Sequence, residues 1–345
     1  MLRHPPGGMR HATVAACTVF AAISGSSVAT ALTIGSAAIP LMIRYGYSPR
    51  FAYGVVGGGG TLGILIPPSG PMVLFGVVSD TSIGALFMAG IVPGLMLALI
   101  FAVYCATAMK LAANPVAIEP RATSAEVVAA LRKSVWSLTL PVLVLGGMYF
   151  GVFTATEAAA AGALGALAIA MFAYRNFGLN DLWGSAIDAA RNSAMLFLIL
   201  AAAELLGHAL TKLRIPNQMV DLVAQYGVSQ LGFLAAVMVL LFVLGMFLET
   251  ISIILITTPV VLPVLAALKI NPVWYGILLT INLELALITP PVGMNLFAIK
   301  AITRAPIRDI IAGVTPYVGL LLAGLALVLF FPQIALWLPG TMQYR

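Results

Sequence analysis

Apolar residues run along this chain in long blocks broken only by short polar connections. The blocks fall at 12–43, 51–79, 84–109, 134–152, 155–173, 193–210, 231–268, 273–299 and 309–338. Runs of this length and apolarity are membrane-span candidates. The alternating segments of about ten residues that mark a transmembrane β-barrel are absent. The pattern predicts an all-α polytopic membrane protein. Three connections read as amphipathic helices on the membrane surface: 123–133, where Thr123 and Glu126 form a capping-box pattern, 181–190 and 217–225.

The blocks repeat. Pro40 and Pro263 lie 223 positions apart, and the same offset places Pro49 on Pro272, Pro67 on Pro290, Pro68 on Pro291, Gly70 on Gly293, Gly90 on Gly313 and Pro93 on Pro316. Under that offset 12–43 aligns with 231–268, and each is interrupted near its middle by polar residues: Ser24–Ser27 in the first, Glu249–Thr250 in the second. Twelve residues, Ala12 to Ile23, make about 18 Å of helix, well short of the roughly 30 Å hydrocarbon core. A re-entrant hairpin with a polar tip fits better than a span, the alternative being one tilted helix with a Gly–Ser kink. Five crossings separate the two hairpins, an odd number, so the second copy is inverted. Inverted structural repeats, each with a re-entrant hairpin and a Pro-broken transmembrane helix, are an architecture of secondary transporters. The expected division is a first repeat over 1–109 (hairpin 12–43, broken helix 51–79, span 84–109), connecting spans and interfacial helices over 110–230, and a second repeat over 231–345 (hairpin 231–268, broken helix 273–299, span 309–338).

The breaks carry the chemistry. Pro67 and Pro68 remove helical hydrogen bonds from the carbonyls of Gly63 and Ile64, and Pro290 and Pro291 do the same to Ala286 and Leu287. Ile66 and Thr289, each before a proline, are biased away from helical dihedrals. Unpaired backbone groups in lipid cost several kcal/mol, roughly. A hard cation held by carbonyls and hydroxyls would satisfy them. The expected cation ligands are Ser24, Ser26, Ser27, Gly63, Ile66 and Pro67 at the first break, and Glu249, Thr250, Thr289 and Pro290 at the second. Glu249 stands out, since a carboxylate in mid-membrane is penalised by about 3 kcal/mol and needs a partner. Sodium fits that need, with a proton as the alternative; simple packing and kinking roles for Gly, Ser and Pro are the plainer reading. Ser27, Thr250, Gly293 and Asn295 are the candidates to face a substrate. Asn282 and Glu284, just before the second break, are candidates to line the cavity, and Gly57–Gly60 is expected to admit the neighbouring hairpin closely.

Composition agrees: 61% of the 345 residues are apolar and 8% charged, with mean hydropathy +1.08. The formal charge of +6 is spread over several connections, Arg121 among them, which suits membrane anchoring and not a nucleic-acid patch. The basic start MLRHPPGGMRH lacks a cleavage site after a short apolar core, so a signal peptide is not expected. Cys17 and Cys105 lie in apolar runs and imply no disulfide framework. Glu157, three residues after Thr154, reads as a helix cap. Glu204 and His208 share a helix face, but no third metal ligand accompanies them, and an intramembrane enzyme is the weaker alternative.

The stretch GGTLGILIPPSGPMVLFGVVSDTSIGALFMAGIVPGLML resembles the signature region of the large membrane subunit of tripartite ATP-independent periplasmic (TRAP) transporters, the DctM-like family. SGSSVATA, GGMYFGVFTATEAAA, GMFLETISIILITTPVVLPV and ITPPVGMNLFAIKAI extend the match over nearly the whole chain. The resemblance implies a multi-pass permease of the bacterial inner membrane, an elevator-type fold and sodium-driven import of organic acids of the C4-dicarboxylate or sugar-acid class. It also implies two partners, a small membrane (Q) subunit and a periplasmic substrate-binding (P) protein, with no cofactor beyond sodium as coupling ion and no enzymatic activity. The sodium-binding regions carry over to Ser24–Ser27 with the first break and Glu249–Thr250 with the second. Two features depart from the family. Several helices normally precede the first hairpin, so a permease lacking its N-terminal helices, or a non-functional fragment, is one expectation. Glu249 stands where Asp is commoner. The competing class is a proton- or ion-coupled carrier or antiporter of related inverted-repeat fold.

Overall fold

The computed structural model describes residues 8–110, 123–175 and 177–342. The basic start before Gly8 and the Arg121 part of the basic connection lie outside the described residues. Helices dominate and no strand occurs among the described residues.

The first copy opens with α1 (Gly8–Ser24) and α2 (Ser27–Arg44). They pack against each other across a two-residue tip in which Gly25 takes φ +61°, a conformation that favours glycine. Next come α3 (Pro49–Gly60), a 3-10 turn over Thr61–Gly63, α4 (Gly70–Ser79) and α5 (Ile83–Lys110). The connecting region holds α6 (Ser124–Tyr149), α7 (Ala155–Ala168, continued by a π-turn to Tyr174), α8 (Leu179–Lys212) and α9 (Ile215–Gln225). The second copy consists of α10 (Gln230–Gly245), α11 (Thr250–Ala267), α12 (Pro272–Leu287), α13 (Met294–Thr303) and α14 (Ile307–Phe330), followed by the short α15 (Gln333–Leu336).

Helix starts obey the sequence offset. Ser26 caps α2 and Glu249 caps α11; Ser48 caps α3 and Asn271 caps α12, each of the latter two followed by a proline in the first helical turn. A side-chain oxygen on otherwise orphaned N–H groups and a proline whose missing N–H does no harm there define both starts. Both Pro–Pro bonds, Pro67–Pro68 and Pro290–Pro291, are cis.

The copies interlock. The second arm of each broken helix packs on the second helix of the other copy's hairpin, α4 on α11 and α13 on α2. Helix α3 crosses α14 at Gly54 and Gly313, where an added methyl on Gly54 would meet the Gly313 carbonyl oxygen at 2.2 Å. At the centre lies α12, buried at every position from Trp274 to Leu287. It is mostly apolar, as a helix with neighbours on every side must be, but carries Thr280, Asn282 and Glu284 within the buried stretch. Asn282 donates from Nδ2 to the Met238 carbonyl of α10 at 2.9 Å and so ties α12 to that helix.

Several expectations need correction. The hairpin arms α1 and α2 hold 17 and 18 residues, not twelve; the helix runs on through His11 and up to the polar tip itself. Helices α2 and α11 are each long and apolar enough to cross a membrane by length alone, among six such helices in the described residues. The hairpin assignment therefore rests on the tips and their packing. The stretch 181–190 forms no separate surface helix but continues into 193–210 as the single helix α8, since neither Gly nor Pro separates the two parts. The stretch 123–133 is the first limb of α6, which bends by 53° between Ser124–Ala130 and Ser134–Tyr149; 217–225 is a helix of its own, α9. Helices α6, α7 and α8 leave Val142, Leu164, Phe197 and Leu205 exposed, an apolar surface suited to lipid.

Candidate functional site between two tips and two breaks

Where each hairpin tip meets a break, small residues bring backbone against backbone. A methyl on Gly63 would stand 2.6 Å from the Ser26 carbonyl oxygen, and one on Gly25 2.5 Å from that of Pro68. In the second copy the Val292 N–H donates to the Met246 carbonyl at 3.2 Å, joining break to tip. Gly293, in the left-handed region at φ 52° and ψ 76°, restarts the chain into α13.

Between the tips lies a cavity of about 170 Å³, lined by Gly25, Ser26, Ser27 and Val28, by Ile64 and Pro71, by Glu249, Thr250 and Ile251, and by Leu287 and Met294. Apart from Gly25, every lining residue has its counterpart at the 223-residue offset in the opposite wall: Ser26 with Glu249, Ser27 with Thr250, Val28 with Ile251, Ile64 with Leu287, and Pro71 with Met294. The two copies thus enclose one space. The polar walls come from the helix starts: Ser26 Oγ accepts from the Ala29 N–H at 3.3 Å, and a Glu249 carboxylate oxygen accepts from the N–H groups of Ile251 at 2.8 Å and Ser252 at 3.3 Å. Helix N-termini on two sides favour negative charge in the space between them. Ser27 and Thr250 are buried beside these caps, whereas Glu249 is exposed.

The predicted residues therefore divide. Ser26, Ser27, Glu249 and Thr250 share the cavity. Ser24 does not; its Oγ lies 3.1 Å from Thr30 Oγ1, and it lines a larger groove of about 540 Å³ between the first tip, α4 and α5 on one side and α6 and α7 on the other. Gly25 lines both spaces, so the first tip is the partition between them. Gly63, Ile66 and Pro67 do not line the cavity; Ile66 packs against Gly94. The Thr289 hydroxyl donates to the Leu285 carbonyl at 2.7 Å, and the Thr289 N–H donates to the Ala286 carbonyl at 3.1 Å. The Ala286 carbonyl, expected to be freed by the prolines, is thus taken by a tightened last turn. Pro290 and Gly293 flank the second break without lining the cavity. Asn295 is fully buried one residue beyond the lining Met294, and neither of its amide atoms has a hydrogen-bond partner.

Only half of the glycine run meets the hairpin: methyls on Gly59 and Gly60 would touch Cys17 and Ala31, while those on Gly57 and Gly58 would strike Val314 and Tyr317 of α14. Asn282 faces α10, not the cavity. Glu284 has no exposure, and its Oε1 accepts from Ser27 Oγ at 2.5 Å and from the Ile64 N–H at 3.0 Å. A lone acid inside an apolar helix was its signal in the sequence; its partners, from 220 and 257 residues away, were not legible. Thr154 and Glu157 form the reciprocal cap that starts α7. Glu204 and His208 line a separate pocket of about 290 Å³, and no group of three metal-ligating side chains occurs among the described residues.

Two interlocked, inverted copies closing on one cavity, lined from both copies, make this a secondary-transporter fold. The same fold is found in the crystal structure of the Alcanivorax borkumensis YdaH transporter, at TM-score 0.65 and 17% identity, over 95% of this chain and 82% of that one. Residues 1–334 match the family model of the tripartite ATP-independent periplasmic transporter, DctM component, and the chain belongs to that family. It is 42% identical to the C4-dicarboxylate TRAP transporter large permease protein DctM of Pseudomonas aeruginosa, over 98% of this chain and 79% of that protein. It is 36% identical to the isethionate TRAP transporter permease protein DctMQ of Oleidesulfovibrio alaskensis, over 99% of this chain and 53% of that protein. The chain is a multi-pass membrane permease subunit and not an enzyme.

Proposed function

We propose that this permease subunit imports organic acids, of the C4-dicarboxylate or sugar-acid class, across a bacterial inner membrane and is driven by sodium. The observation that carries the reading is the cavity between the tips, whose walls, Gly25 apart, pair across the two copies and combine hydroxyls, one carboxylate and two helix N-termini. Helix starts at Ser26 and Glu249 offer N–H dipoles to a substrate carboxylate. Ser26, Ser27, Glu249 and Thr250, with backbone oxygens of the adjoining breaks, offer the hard oxygen donors that sodium takes. The Pseudomonas relative bears a C4-dicarboxylate name and the Oleidesulfovibrio one an isethionate name, so an anionic organic substrate suits both, with its identity varying within the family. A periplasmic binding protein would deliver the substrate and a small membrane subunit would complete the permease; the second relative's name already joins M and Q. Because each hairpin packs on the other copy's broken helix, tips and breaks would move as one body in an elevator-like step.

The test is uptake by the complex in proteoliposomes with choline replacing sodium at constant pH. Uptake should fall to background. Uptake indifferent to the exchange would sink sodium coupling and favour a proton-coupled carrier.

A further inference from the structure

The two tip–break junctions are not charged alike. At the 223-residue offset Glu249 corresponds to Ser26, and Glu284 corresponds to Thr61. Both acids therefore belong to the second copy. Glu249 sits on the second copy's own tip. Glu284 instead crosses to the first copy, where Ser27 and Ile64 hold its Oε1 between tip and break. Its Oε2 is buried with no hydrogen-bond partner. No Lys or Arg is ion-paired to it among the described residues; the Arg50–Asp309 ion pair lies elsewhere. A carboxyl group buried in this way keeps its charge only beside a compensating positive charge and is otherwise protonated.

We propose that Glu284 supplies the negative charge for a monovalent cation held at the first tip–break junction, acting from behind Ser27, so that each junction is served by one carboxylate. The inference rests on the sodium-coupled reading and extends it. Oxygens of the first tip and break are otherwise neutral, and a cation held by neutral oxygens in a low-dielectric site gains from a carboxylate one residue behind them. The chemistry of Ser27 agrees. Its hydroxyl proton is committed to Glu284, which leaves the oxygen lone pairs as the function that remains to it. The Ile64 N–H fixes the same carboxylate to the break, so the acid holds tip and break in register. One compensating acid matches one positive charge; calcium-like sites gather several carboxylates. Glu284 is thus a positioning residue, placed so that its charge reaches the ion through Ser27.

Thermal unfolding of the full chain in detergent micelles, followed as sodium chloride replaces choline chloride at constant ionic strength, tests this. The unmodified protein should gain stability with sodium. Glu284→Gln keeps an acceptor for Ser27 and Ile64 but loses the charge, and should need sodium about tenfold higher or more for the same gain. Its stability in choline should remain near that of the unmodified protein, which separates loss of an ion partner from loss of packing. Glu284→Asp keeps the charge and should retain part of the response. If Glu284→Gln responds to sodium like the unmodified protein, the inference fails while sodium coupling stands. If the unmodified protein itself does not respond, both fall. Where the Gln variant does not fold, Glu284→Asp decides, since withdrawing the carboxylate by one methylene must weaken the sodium response; an unchanged response overturns the proposal.

Discussion

The first tip–break junction is made of neutral residues of its own and borrows its one acid, Glu284, from the second copy, whereas the second carries an acid on its own tip. Gly63 allows the Ser26 carbonyl to lie directly against the first break, yet its counterpart in the second copy is Ala286, whose methyl packs near Gly245 of α10. Ser26 caps the first tip with a hydroxyl; Glu249 caps the second with a carboxylate. One backbone plan thus supports two local chemistries, and the plan is held by Pro, Gly and helix starts while the oxygens are free to differ.

The sharpest way to break the comparison is to exchange its glycine and alanine. Gly63→Ala drives a methyl into backbone that cannot yield, so uptake should fall to background although the protein still inserts. Ala286→Gly removes a methyl and adds backbone freedom, costing about 1 kcal/mol, and should leave most uptake; equal losses would show that the junctions are not packed differently. Next in size, Glu249→Gln should raise the sodium concentration for half-maximal uptake about tenfold. Ser26→Ala, which removes a cap worth about 1 kcal/mol, should lower thermal stability with a smaller sodium effect. Thr61→Val tests the counterpart of Glu284: the Thr61 hydroxyl only returns to the Gly58 carbonyl of its own helix, so a loss of about 1 kcal/mol in stability and no change in sodium response are expected. Smallest of all, Glu157→Gln leaves the α7 cap an acceptor and should not alter sodium dependence; a shift matching that of Glu249→Gln would show that the acids were assigned to the wrong sites.

Much of the fold was legible because prolines and glycines punctuate backbone whatever their surroundings. Pro49 and Pro272, Pro67–Pro68 and Pro290–Pro291 marked equivalent helix starts and breaks. The polar interruptions at Ser24–Ser27 and Glu249–Thr250 marked the tips, and four of the residues named there meet in one cavity. What escaped was set by tertiary packing. Apolar residues cannot reveal that α1 runs to its tip as a 17-residue helix, nor polar ones that 181–190 continues into a span. Ser24 lies on the same tip as Ser26 but faces a different space, since it ends α1 while Ser26 starts α2 and left-handed Gly25 turns the chain between them. The reach of Glu284 into the other copy depends on how two inverted units interlock, which no local pattern records.

That interlocking also orders events during synthesis. Ser27 must wait for Glu284, 257 residues further along the chain. At 5–20 residues per second the delay is roughly 13 to 50 s. For that interval the first hairpin has no companion from the second copy, and its polar tip stands in the insertion machinery or lipid without the acid that later holds it. The junction of the first copy is thus completed only when α12 of the second has been made.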